Sequence, residues 1–276
     1  MRIIIIIIII LLLLCTIYSI YCLNVLLIFH PTKIYYKKMN NIAEYFKEHF
    51  IEESVTTKDK IKLHCGLFNK IRVPSYNDYI FLYSHGNSGW LGSYMYDHMT
   101  TKLLSYYGSI FLYDYRGFGI NKGSVSETGL YNDISAVWNF LVNDKHVPAN
   151  KIILYGYSLG TAITTKLLHK IITHNKDKPK AIMLEAPFTK MKDLAKIYMP
   201  SISFLCMMNF NNMKNLSIKL DIPMCIIHSK DDEIIPYDHA LKIQQKTNCD
   251  LITINGPHYG SVYSSDFVNW IEKNVK

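Results

Sequence analysis

Residues 3–29 carry no charged side chain and are almost wholly apolar. At about 1.5 Å of rise per residue, a helix of that length crosses the roughly 30 Å hydrocarbon core of a bilayer with some tilt. The pattern predicts a transmembrane signal-anchor over residues 1–30, attached as a single pass. A cleaved signal peptide is the rival reading, but its apolar stretch normally runs about 7–15 residues to a small-residue cleavage site, and neither feature is clear here. Arg2 precedes the run, whereas Lys33, Lys37 and Lys38 follow it. That asymmetry leans toward a cytosolic position for the rest of the chain and leaves a lumenal one open.

Residues 31–53 then read as a polar connector with a short helix around 42–50. Beyond it the periodicity changes. Residues 61–67 alternate apolar and polar as a half-exposed strand does, and residues 79–83 form a continuous apolar run ending in a glycine turn, as a buried strand does. Further short strands are predicted at 109–113, 151–155, 181–185, 224–228 and 251–255, with helical patterns at 91–106, 129–142, 161–172 and 237–245. This alternation predicts one α/β domain over residues 54–276, a mostly parallel sheet with helices on both faces and its ligands at the carboxyl ends of the strands.

Composition narrows the function. A chain of 276 residues, 49% hydrophobic, supports one sizeable domain and a terminal appendage. The net charge of +8 comes from scattered lysines without a basic tract, which argues against nucleic acid and fits attraction to anionic headgroups, at about 1 kcal/mol per basic residue near the surface. The six cysteines, Cys15, Cys22, Cys65, Cys206, Cys225 and Cys249, show neither metal spacing nor a disulfide framework.

The chemistry gathers at strand ends. The strand at 151–155 runs into Gly156-Tyr157-Ser158-Leu159-Gly160, and a helical pattern follows. A strand-to-helix turn this sharp strains the serine backbone and excludes side chains two residues to either side, so both glycines have a reason and Ser158 is the candidate nucleophile. A serine hydroxyl needs a base, and the base needs a carboxylate to hold its tautomer. With this turn the order is serine, acid, histidine. Asp232, just past the strand at 224–228, is the chosen acid, with Asp231 and Glu233 as adjacent rivals. His258, after the last strand, is the base; His239 also follows the acid but lies in a helical pattern. Backbone N–H groups of Leu159 and of Asn87, in the loop Ser84-His85-Gly86-Asn87-Ser88-Gly89, are the expected oxyanion donors, while His85 reads as structural. The mechanism needs no cofactor or metal.

Five segments together carry a family resemblance: Ser84-His85-Gly86-Asn87, Asp114-Tyr115-Arg116-Gly117-Phe118-Gly119, Gly156-Tyr157-Ser158-Leu159-Gly160, Glu185-Ala186-Pro187-Phe188, and residues 228–236. From about residue 51 onward the chain resembles the membrane-anchored α/β-hydrolase domain-containing serine hydrolases, a group with protein depalmitoylases and lysophospholipid or monoacylglycerol lipases. The resemblance implies an α/β-hydrolase fold with a short cap, a triad of Ser158, Asp232 and His258, and structural roles for the Asp114 and Glu185 segments. It also implies cleavage of acyl esters or thioesters, with an acyl lipid or an S-acylated protein as substrate and membrane lipid as a further partner. Two departures concern Ser229, where the family has glycine after the residue matching His228, and Pro257-His258-Tyr259, where it often has Gly-His-Asn.

In the cap region, residues 188–221, Tyr198, Met199, Phe204, Met207, Met208, Phe210 and Met213 admit two readings: a helix packed on the core, or an acyl-chain pocket opening toward the bilayer. The sequon Asn215-Leu216-Ser217 matters only for a lumenal domain. A serine peptidase and a catalytically silent scaffold stand as competing functions, and a monomer is expected.

Overall fold

Strands buried on both faces have no polar side to show to water, and the continuous apolar runs accordingly become the middle of one sheet. The computed structural model describes residues 2–33, 48–96, 99–259 and 264–275. The strands of its main sheet are β1 (Phe50–Thr56), β2 (Lys62–Phe68), β3 (Ile80–Ser84), β4 (Ser109–Tyr113), β5 (Ile152–Tyr157), β6 (Ala181–Glu185), β7 (Met224–Ser229) and β8 (Asp250–Ile254). They lie in the order β8-β7-β6-β5-β3-β4-β2-β1. The β1–β2 and β2–β4 pairs are antiparallel and all others parallel. Every residue of β3 through β7 is buried.

Successive side chains on a strand point to opposite faces, so the sheet divides the core in two. Ile152 and Leu154 of β5 pack with Leu130, Ile134 and Ile163 of the helices Glu127–Asn139 and Leu159–Thr173. Ile153 and Tyr155 face the other way, toward Leu91 and Tyr94 and toward Phe267 and Trp270 of the helix Ser265–Asn274.

Local expectations change in places. The predicted connector helix lies mostly outside the described residues, but Phe50–Thr56 is a strand, paired from Phe50 opposite Phe68 to Thr56 opposite Lys62. The adjacent acids Glu52 and Glu53 had broken its apolar alternation. Of the helix expected at 91–106, the described residues Leu91–Tyr96 and Met99–Leu104 are helical. The cap region, for which a helix was one of the two readings, holds the helix Met191–Tyr198.

The N-terminal helix Arg2–Ile28 has a mean hydropathy of 2.9 over Ile6–Ile28 and, among the described residues, is the one helix long and apolar enough to cross a membrane. Its end joins the domain. Phe29 is buried edge-to-face against Phe210, and His30–Pro31 pairs in parallel with Ser88–Gly89.

The chain leaves β3 toward β4 on one side and later returns to β5 on the other, which opens a crevice at the carboxyl ends of the two neighbours. There Ser84 pairs with Gly156, and Gly160 approaches so closely that a Cβ on it would lie 2.0 Å from the Ser84 carbonyl oxygen. Gly160→Ala therefore forces backbone against backbone and is expected to cost about 3 kcal/mol or more. At about 2–4 °C per kcal/mol, thermal unfolding should show a fall of roughly 6–12 °C, and an unchanged Tm would contradict this packing.

Candidate active site

Ser158 adopts φ 52 and ψ −117, a left-handed conformation that a residue with a Cβ rarely takes. The turn is locked from both sides: the Ser158 N–H donates to the Glu185 carbonyl at 2.9 Å, and the Ser158 carbonyl accepts from the Thr161 N–H and hydroxyl at 3.0 and 2.6 Å. A Cβ at Gly156 would meet the Thr161 Cα at 2.7 Å, so the glycine on this side is also required.

Ser158 Oγ lies 3.2 Å from His258 Nε2, and His258 Nδ1 lies 2.8 Å from Asp232 Oδ2. The other Asp232 oxygen accepts the N–H groups of Ile234 and Ile235 at 2.9 and 2.7 Å. His228 Nε2 donates to the Ile235 carbonyl at 2.8 Å and stands 3.3 Å from Asp232 Oδ2. Burial alone would raise the Asp232 pKa, but hydrogen bonds from His228 and His258, the charge of His258 and the Ile235 N–H outweigh it and hold the carboxyl well below the usual range. Its contribution to stability is thus present above the ordinary value of 3.8 and lost only as pH falls far below it.

The rivals of Asp232 face elsewhere and are not idle. Asp231 Oδ2 accepts the Gly256 N–H at 3.2 Å, and Glu233 Oε2 accepts the His258 N–H at 2.9 Å. Both therefore brace the histidine loop. Ser229 braces it too, its Oγ donating to the Gly256 carbonyl at 2.5 Å, a bond that the glycine of the resembling family could not make. From the other side the Tyr157 hydroxyl donates to the His258 carbonyl at 2.8 Å, with its ring stacked on the imidazole.

These residues open on a cavity of about 480 Å³, lined among others by Ser158, His258, Asn87 and Leu159. The Asn87 side chain donates to the Ile28 carbonyl at 3.1 Å. The cap residues divide. Tyr198 and Met199 line the cavity, whereas Met208 and Phe210 are buried in the core and Phe204 is 70% exposed. The wall supplied by Leu23, Asn24, Leu27 and Ile28 was missed; its one signal was a lone carboxamide, Asn24, near the end of the apolar run. Asn215 is buried and donates to Thr165 Oγ1 at 3.1 Å, so the sequon is a packing feature.

His85, expected to be structural, is buried; its Nδ1 donates to the Gly86 carbonyl at 2.8 Å, and burial lowers its pKa to about 3. Its Nε2 stands 3.9 Å from Asp114, whose carboxyl burial pushes up to about 7 against one opposing hydrogen bond, from the Leu91 N–H at 2.6 Å. Glu185 is also buried, accepting from the Tyr155 hydroxyl at 2.7 Å.

Residues 1–247 match the model of a family described as "Chlamydia CHLPS protein (DUF818)". An uncharacterized protein of Acanthamoeba polyphaga mimivirus is 29% identical over 250 residues, 83% of this chain and 82% of that one. The alpha/beta hydrolase domain-containing protein 17C of Xenopus laevis is 32% identical over 178 residues, which cover 64% of this chain and about half, 53%, of that protein. Among solved structures, an alpha-beta hydrolase from Vibrio vulnificus superposes with a TM-score of 0.66 at 18% identity, over 87% of this chain and 84% of that one. The chain has the α/β-hydrolase fold and is similar to proteins of the α/β-hydrolase group.

Asp114 holds its proton more tightly folded, near 7, than at its ordinary 3.8, so the stability it contributes is fully present below about pH 3.8 and lost as pH rises through 7. Asp114→Asn keeps an acceptor for the Leu91 N–H and removes the titration. Relative to the parent, its unfolding free energy should rise by on the order of 2 kcal/mol between about pH 5 and pH 8, measured by urea denaturation. A difference independent of pH would contradict the assignment.

Proposed function

This chain belongs to the family described as Chlamydia CHLPS protein (DUF818), and from its α/β-hydrolase fold and the alignment of Ser158, His258 and Asp232 we propose that it is a serine hydrolase cleaving ester or thioester bonds of acyl lipids or S-acylated proteins. The observation that carries the reading is the uninterrupted contact from hydroxyl to imidazole to carboxylate, at 3.2 and 2.8 Å, opening on an apolar cavity.

In this reading His258 Nε2 accepts the Ser158 proton as Oγ attacks the carbonyl carbon, and Asp232 keeps the other ring nitrogen protonated and stabilises the imidazolium. The oxyanion is received by the N–H groups of Leu159 and Asn87. His258 then passes its proton to the departing alcohol or thiol, leaving an acyl group on Ser158, and a water activated by the same nitrogen releases the acid. Apolar side chains such as Leu194, Met199 and Ile202 offer the acyl chain a surface. The helix Arg2–Ile28 supports attachment to a membrane as a single pass, with the catalytic unit beginning near the first sheet strand, and the Lys-rich flank favours its cytosolic placement.

Fluorophosphonate labelling of the purified protein together with p-nitrophenyl ester turnover tests the proposal. Ser158→Ala should abolish labelling and lower kcat by about 10⁶-fold, and Asp232→Asn should lower it by about 10⁴-fold through the wrong histidine tautomer. Asp231→Asn should stay within about tenfold of the parent, since its carboxylate touches a backbone N–H and not the imidazole. Undiminished labelling of Ser158→Ala would refute the enzymatic reading, and full turnover by Asp232→Asn would move the acid to a neighbour.

A further inference from the structure

A polar amide is costly within a membrane helix unless it is paired, so Asn24 demands a partner. It finds one far along the chain. Asn24 is 7% exposed; its Nδ2 donates to the Leu205 carbonyl at 3.0 Å, and its Oδ1 accepts the Met207 N–H at 2.8 Å. The same Nδ2 also bonds the Ile20 carbonyl of its own helix at 2.8 Å. Leu205 closes the 3₁₀ turn Pro200–Leu205 and Met207 lies in the irregular stretch beyond it, where backbone groups have no helix or ladder to join. One side chain thus clasps the cap to the N-terminal helix.

The clasp sits at the cavity. Asn24, Leu23, Leu27 and Ile28 line it together with Tyr198 and Ile202 of the cap. Four of these lining side chains are large, apolar and solvent-exposed: Leu23 46%, Leu27 44%, Tyr198 54% and Ile202 44%. Contiguous apolar exposure of this kind is costly in water and ordinary in lipid. The 23-residue stretch Ile6–Ile28 spans about 35 Å as a helix, so the turns at 23–28 lie at one edge of the hydrocarbon core, with the rim beside the acyl chains. Past the helix, the Ile28 carbonyl and the His30 N–H bond Asn87, which ties this wall to the loop expected to bind the oxyanion.

Resting on the hydrolase reading above, we infer that the last two turns of the N-terminal helix are the substrate wall of the enzyme: a long acyl chain slides from the bilayer between Leu23 and Leu27 and the cap, and Asn24 is the positioning residue that holds the two walls at the spacing that chain requires. The helix then selects for acyl length, and substrate reaches Ser158 without leaving the lipid phase.

The full chain in phosphatidylcholine vesicles provides the test, with kcat/KM measured on p-nitrophenyl butyrate and p-nitrophenyl palmitate and fluorophosphonate labelling of Ser158 as the check on an intact site. Leu27→Trp narrows the slot and Asn24→Leu removes the clasp while keeping the helix apolar. Each should lower the palmitate-to-butyrate ratio of kcat/KM by roughly tenfold with labelling retained. Leu12→Trp, on a part of the helix 62% exposed and remote from the cavity, should leave the ratio as in the parent. The inference is overturned if the ratio in the labelled variants equals that of the parent, or if Leu12→Trp shifts it equally. A parent that neither labels nor hydrolyses either ester would instead sink the hydrolase reading. Should one slot variant lose labelling through misfolding, the other decides.

Discussion

A serine with φ 52 is a strained residue, at a cost on the order of 1–3 kcal/mol, and it persists only where its surroundings leave no alternative. Here β5 and β6 grip it from the strand side, through the Glu185 carbonyl, and the first turn of the following helix grips it through Thr161. The approach of Gly160 to the Ser84 and His85 carbonyls makes the two central strand ends inseparable. Because β3 and β5 are the innermost strands at the switch point, the strain is borne by the most rigid part of the sheet, and the loops carrying Asn87 and Ser158 have little freedom to drift apart.

Two buried carboxylates show how the same fold tunes acidity in opposite directions. Asp114 and Asp232 are both nearly inaccessible at their side chains. Asp114 receives one N–H and sees a neutral His85, so desolvation wins and its proton is held up to about 7. Asp232 receives two backbone N–H groups and two imidazoles, and the charged form wins despite burial. Number of donors, not depth, decides the charge state. The carboxylate bonded to the His258 ring sits in the second environment, and the one in a tight corner beside Gly119 sits in the first.

The sequence revealed this site where chemistry had to override ordinary preference. Two glycines around Ser158, an acidic residue after β7 and a histidine after β8 are local signals that packing alone seldom calls for in this order, and they come together at bonding distance. The strand at Phe50–Thr56 was illegible because edge strands are half exposed, and Glu52 and Glu53 occupy consecutive positions that alternation would divide between faces. Roles set by long-range contact were illegible for a different reason. Glu233 reaches the His258 backbone, Ser229 reaches Gly256, and Met208 and Phe210 turn inward while Phe204 turns out. No period along the chain encodes such choices.

The N-terminal run poses that problem in its purest form. Eight isoleucines and four leucines in succession present the same surface on every side, so residues 3–14 can specify insertion into an apolar phase but cannot specify which face meets a partner. Orientation has to come from the residues that break the uniformity, and these lie at the end nearest the domain: Asn24 with its bonds to Leu205 and Met207, Phe29 against Phe210, and His30–Pro31 beside Ser88–Gly89. Each joins the helix to a segment near the cavity or to the loop that carries Asn87. A featureless helix is enough to attach an enzyme to a bilayer, and the directional bonds at its end are an additional constraint. Their effect is to hold one helix face in register with the cavity.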